Sequence, residues 1–188
     1  VIVPRGQQHR SFLPDGTLAG KTFTAKYGYV GTSVENDAFV MEGINEAGLG
    51  VGLFYFPQYG EYQPYDPQKK EQSVSDMQLA AWILSSFASI NELQAAMPQI
   101  RVIATDPRAS TVHWRITESS GRQVVLEIVN QHVHFYENPL GVLTNSPDFG
   151  WHLTNLNNYV NLSAGSINHR QVGRLNLNAF GGGSGLHG

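Results

Sequence analysis

An α+β layered fold built on antiparallel sheets is predicted from three observations. Strand-like and helix-like stretches come in segregated runs, in the order strands, helices, strands, helix, rather than in alternation. The strand-like runs are divided by short polar turns of the kind that close hairpins. Between them, apolar residues recur at three-and-four spacing, the period of a helix with one buried face.

The elements follow in order. Val1-Ile2-Val3 is a strand-like run before Pro4, residues 22–29 alternate as a strand, and residues 38–44 read as another. The turn Asn45-Glu46-Ala47-Gly48, with Gly48 free to take positive φ, leads into an apolar strand over residues 49–56 that Pro57 ends. Residues 58–72 form a polar loop with tyrosines and prolines, either plain surface or a lid. Ser73 or Ser75 caps a helix through Phe87, with Met77, Ala80, Ala81, Leu84 and Phe87 on its inner face. Asn91 caps a second short helix that Pro98 stops. Residues 111–117, 123–129 and 132–137 form an antiparallel meander, turned at Ser119-Ser120-Gly121-Arg122 and at Asn130-Gln131. Residues 142–144 are a short strand, and Asp148 caps a helix reaching about residue 162. There is no internal repeat and no G-x-G-x-x-G opening a helix.

Composition narrows the function. The 188 residues are 41% hydrophobic and 14% charged, enough to bury one core and unlike a disordered chain. Twelve Lys+Arg against 15 Asp+Glu, with Lys69-Lys70 the one basic pair, leave no footprint for nucleic acid or an anionic membrane. The apolar stretch 79–87 is too short to span a bilayer. With no cysteine, the chain holds neither a disulfide nor a thiolate zinc site nor a thiol nucleophile of its own. It opens without Met or a signal peptide and closes on Gly181-Gly182-Gly183-Ser184-Gly185, so both ends read as cut.

Several chemistries compete on the residues themselves. His132 and His134 share a strand face, and His113 on a neighbouring strand completes three imidazoles for a metal, or else all three are half-exposed polar positions. A serine hydrolase lacks its G-x-S-x-G elbow, and the scattered carboxylates form no glycosidase pair. The sequon at Asn161 reads as chance. Phe54, Tyr55 and Phe56, followed by Tyr59 and Tyr62, suit either a strand buried on both sides or an aromatic mouth for an apolar acyl or ring group. Asn145, before Ser146-Pro147, is a turn residue or a neutral oxyanion donor.

Three stretches carry a resemblance: residues 42–49 with Phe54-Tyr55-Phe56-Pro57, then Val142-Leu143-Thr144-Asn145-Ser146-Pro147, then Trp151-His152-Leu153-Thr154-Asn155-Leu156-Asn157-Asn158-Tyr159. In this order they resemble the choloylglycine hydrolase and penicillin V acylase family of N-terminal-nucleophile amide hydrolases. The resemblance implies an αββα sandwich, of which residues 1–188 are one incomplete domain truncated at both ends. It implies a processed N-terminal cysteine, outside this chain, whose α-amino group is the base. Asn145 carries over as the side-chain half of the oxyanion hole. Tyr55 stands where many members have an asparagine whose backbone N–H is the other half, a departure that resembles the Gram-negative subgroup. Phe54, Phe56, Tyr59, Tyr62 and Trp151 then line the substrate site. The implied substrate is a small-molecule amide, whether a bile-salt conjugate, penicillin V or an N-acyl homoserine lactone. No cofactor is implied, the parent is a homo-oligomer, and the chain alone is inactive. A non-catalytic binding module and the His113, His132, His134 metal hydrolase are the alternatives.

Overall fold

A computed structural model describes residues 1–106, 108–159 and 170–177. The chain divides into two compact units, Val1–Asp148 and Phe149–Gly188. The first holds strands β1 (Ile2–Val3), β2 (Gln8–Phe12), β3 (Leu18–Thr24), β4 (Tyr29–Val34), β5 (Asn36–Asn45), β6 (Gly50–Tyr55) and β7 (Ser73–Ser75). Helices α1 (Asp76–Ser86) and α2 (Ile90–Ala96) follow, then β8 (Arg101–Ile103), β9 (Val112–Thr117), β10 (Gln123–Val129) and β11 (His132–Glu137). The second unit has α3 (Phe149–Asn155), a 3-10 turn over Leu156–Tyr159, and the hairpin of β12 (Arg170–Val172) with β13 (Leu175–Leu177).

A seven-stranded sheet in the order β1-β4-β5-β6-β9-β10-β11 is the frame, antiparallel at every junction. The period of two sorts its side chains. Val51 of β6, Trp114 and Ile116 of β9, and Val124, Leu126 and Ile128 of β10 join Leu79, Ile83 and Leu84 of α1 in one core. The intervening residues Phe54, His113, Arg115, Val125 and Glu127 take the opposite face.

The helix prediction needs one correction. The spacing predicts an inner face of Met77, Ala80, Ala81, Leu84 and Phe87, yet α1 is buried nearly all round, and Met77 and Phe87 are only half-buried. The β2–β3 hairpin touches α1 beyond the sheet side. Gln78 marks that contact, its Oε1 accepting from Phe12 N–H (2.7 Å) and its Nε2 donating to Arg10 O (3.2 Å). A helix covered on two sides loses the amphipathic period that a surface helix shows.

Other boundaries also moved. The stretch 22–29 joins the end of β3 to the first residue of β4 across a turn. Ser89, not Asn91, caps α2: its hydroxyl accepts from Glu92 N–H, while Glu92 Oε2 accepts from Ala88 N–H. Together these bonds resemble a capping box, with Glu92 reaching one residue beyond the cap, and they outcompete a lone asparagine two residues later. The helix expected from Asp148 to residue 162 becomes α3 and its 3-10 turn, and residues 160–162, the Asn161 sequon and the glycine run lie outside the described residues. No helix among the described residues is long and apolar enough to cross a membrane.

Asp76 starts α1 buried, its Oδ1 accepting from Thr105 N–H (2.9 Å) and Oγ1 (2.6 Å). Burial raises its carboxyl above the ordinary 3.8, against the opposing pull of these hydrogen bonds. The folded state therefore holds that proton more tightly than the unfolded chain, and stability is lost as pH rises from the ordinary value through the folded one. Asp76→Asn keeps the acceptor without the charge. Its stability relative to wild type is expected to rise from about pH 4 upward and then level off, and melts across that range showing a constant difference would refute this.

Candidate active site

The first unit brings Tyr55 and Asn145 together. Tyr55 ends β6, paired with Val112 across β9, and its backbone N–H donates to Asn145 Oδ1 at 2.9 Å. Its carbonyl accepts from Ser146 N–H at 3.1 Å, and Ser146 Oγ donates to Pro57 O at 2.8 Å. The Tyr55 hydroxyl donates to Ser110 Oγ at 2.8 Å.

The segment leading to Asn145 is not the strand expected over residues 142–144. Side chains hold its carbonyls instead of a ladder: Arg115 donates to Gly141 O (3.2 Å), Asn138 Nδ2 to Val142 O (2.9 Å), and His113 Nε2 to Thr144 O (2.9 Å). An apolar run bounded by turn residues looks like a strand, but strand geometry needs a neighbouring edge, and here long polar side chains reach out of the sheet in its place.

His113 belongs to this arrangement and not to a metal site. Its Nδ1 lies 3.0 Å from Glu127 Oε1, both side chains are wholly buried, and its ring stacks on Phe56 with centroids 4.3 Å apart. His132 is exposed, with Nδ1 2.6 Å from Asn130 O, and His134 stacks on Tyr136. Among the described residues no group of three His, Asp or Glu side chains is placed to hold a metal. Residue-level reading missed Glu127, although it is the one charged residue in the strand Gln123–Val129 and therefore signals a buried partner.

Three of the five aromatic residues expected at the substrate site, Phe54, Phe56 and Tyr59, gather around His113. Phe56 is fully buried against His113, and Tyr59, partly exposed, stacks on Phe56 with centroids 5.9 Å apart. Phe54 meets His113 edge-on at 6.2 Å. Tyr62 is a core residue whose hydroxyl donates to Val112 O and accepts from Val112 N–H, with burial pushing its pKa well up. It anchors the loop of residues 58–72 to β9. Trp151 lies on α3 of the second unit.

A cavity of about 540 Å³ opens elsewhere in the first unit. Phe12, Leu13, Pro14 and Phe39 give it an apolar side, and Asn36, Thr105, Asp106 and Arg108 a polar one. Arg108 pairs with Asp106 at 2.8 Å and draws its carboxyl down to about 2. Ser110, the partner of Tyr55, follows in the same connection between β8 and β9.

The model of the linear amide C–N hydrolases, choloylglycine hydrolase family, matches residues 1–188. A bile salt hydrolase/transferase from Clostridium perfringens is 33% identical over 89% of this chain and 53% of its own length. A penicillin V acylase from Pectobacterium atrosepticum is 29% identical over 77% of this chain and 41% of its own. The crystal structure of a variant conjugated bile acid hydrolase from Clostridium perfringens superposes with a TM-score of 0.76 at 30% identity, covering 98% of this chain and 56% of that one. The chain spans about half the length of the curated relatives it matches.

Proposed function

The chain belongs to the choloylglycine hydrolase family of linear amide C–N hydrolases, and on that premise we propose that the full-length protein carrying it hydrolyses the amide bond between an apolar acyl group and an amine. The observation that carries this reading is the pairing of Asn145 with the Tyr55 backbone N–H at 2.9 Å. An attacking nucleophile turns the substrate carbonyl into an oxyanion, which needs neutral donors held in advance. Asn145 Nδ2 is one such donor. The Tyr55 N–H is the other, once the oxyanion takes the place of Asn145 Oδ1 as its acceptor.

The nucleophile of this proposal is the processed N-terminal cysteine implied by the family resemblance, since the 188 residues hold none. Its thiolate attacks, the amine leaves with a proton from the α-amino group, and water hydrolyses the acyl-enzyme. Residues 1–188 are in this reading part of one N-terminal-nucleophile domain. The apolar acyl group is in this reading taken by aromatic side chains beside Tyr55, with Phe54 and Tyr59 the candidates among those expected to line the site. A bile-salt conjugate and penicillin V are the first candidates, because relatives bear those names, and an N-acyl homoserine lactone is the third.

The test is amine release by the purified full-length protein from glycocholate, penicillin V and an N-acyl homoserine lactone. Turnover of one of them, abolished by alkylating the N-terminal thiol, is the expected result. Tight binding with no product from any would favour a non-catalytic module instead.

A further inference from the structure

We infer that His113 and Glu127 are positioning residues for the oxyanion hole, acting through the Thr144 carbonyl; this rests on the proposed role of Asn145. A carbonyl oxygen only accepts, so the 2.9 Å contact between His113 Nε2 and Thr144 O places a hydrogen on Nε2. The same peptide plane that holds Thr144 C=O carries the Cα of Asn145. Fixing that oxygen therefore orients the plane from which the Asn145 side chain projects. On the far side, Ser146 is tied to Tyr55 O and Pro57 O. The Asn145 amide is thus clamped from both flanks.

Glu127 makes the clamp directional. Its Oε1, 3.0 Å from Nδ1, holds the imidazole in the plane that points Nε2 at Thr144. Phe56 stacked at 4.3 Å and Phe54 edge-on at 6.2 Å pack against the same ring. A buried histidine–carboxylate pair is a poor device for stability, because well-packed apolar residues of similar volume do as well or better once desolvation is counted. What the apolar replacement cannot do is donate to Thr144.

That difference is the test. In the full-length protein, the double variant His113→Phe/Glu127→Leu removes the donor and leaves no buried charge unpaired. Its kcat, on whichever of glycocholate or penicillin V the wild type turns over, is expected to fall about 10- to 50-fold while KM stays within about twofold and the melting temperature holds. Added to Asn145→Ala, the double variant should cost nothing further, since the residue it positions is gone. Wild-type kcat in the double variant, or losses that multiply with Asn145→Ala, would overturn the inference. Full activity of Asn145→Ala alone would instead overturn the oxyanion role itself. Should the double variant not fold, His113→Gln and His113→Leu, each with Glu127→Gln, decide: the glutamine amide can donate to Thr144 and should retain the larger kcat, whereas equal losses refute positioning.

Discussion

Asn145→Ala in the full-length protein is expected to lower kcat about 10²- to 10³-fold, with KM changed only a few-fold. The asymmetry follows from when the amide does its work. A ground-state carbonyl gains little from a strong donor, while the oxyanion that forms from it gains several kcal/mol, so deleting the donor raises the barrier and barely weakens binding. The alanine also strips the Tyr55 N–H of the partner it holds at 2.9 Å. Tyr55 is half exposed, so water can take that place, and the cost remains one of catalysis and not of folding. Asn145→Asp is a sharper probe of the same idea, because a carboxylate beside the developing negative charge is worse than no side chain at all. Steady-state kinetics on purified variants check both; near-normal turnover by Asn145→Ala removes Asn145 from the mechanism.

How much of this was legible in the sequence depends on whether a residue's partner is near in the chain. The boundaries of β10 and β11 were read to the residue, since the turns around them are marked by Gly121 at φ +89 and by Asn130 and Gln131 at φ 49 and 65. Glycine and asparagine tolerate left-handed backbone and so announce it, while Gln131 follows its neighbour into it. Asn145 was singled out by its place before Ser146-Pro147 and by family resemblance. Nothing local announced that Tyr62 reaches Val112 or that His113 reaches Thr144, contacts between residues 50 and 31 positions apart. Two histidines of alternate spacing suggested a metal face, but which histidine is buried is decided by sheet order, with β9 central and β11 at the edge. Nor is the burial of Tyr62 announced locally: a tyrosine whose hydroxyl is satisfied by backbone is as good a core residue as a pocket wall.

The turn Asn45-Glu46-Ala47-Gly48 shows the converse, a local signal whose importance exceeds a turn. Gly48, at φ +82, closes it as the sequence predicts. Asn45, only 4% exposed, does more than turn the chain. Its Oδ1 accepts from Ala47 N–H and Leu49 N–H, each at 3.0 Å, and its Nδ2 donates to Leu84 O (2.9 Å) and Phe87 O (2.7 Å) at the end of α1. One amide thereby satisfies two turn donors and two helix-terminal carbonyls that have no intrahelical partner. Asn45→Ala leaves these groups to be desolvated without compensation, an expected cost of about 3–5 kcal/mol. For a protein of this size that is a fall in melting temperature on the order of 10 °C. Asn45→Asp recovers only the turn half, since a carboxylate facing two carbonyl oxygens repels where the amide donated. Urea denaturation of both variants measures the loss, and kcat below the transition should stay near wild type because the contacts of Asn45 do not include Tyr55 or Asn145. A loss below about 1 kcal/mol would mean that water replaces the amide at the helix end, and that the turn and α1 are joined by packing alone.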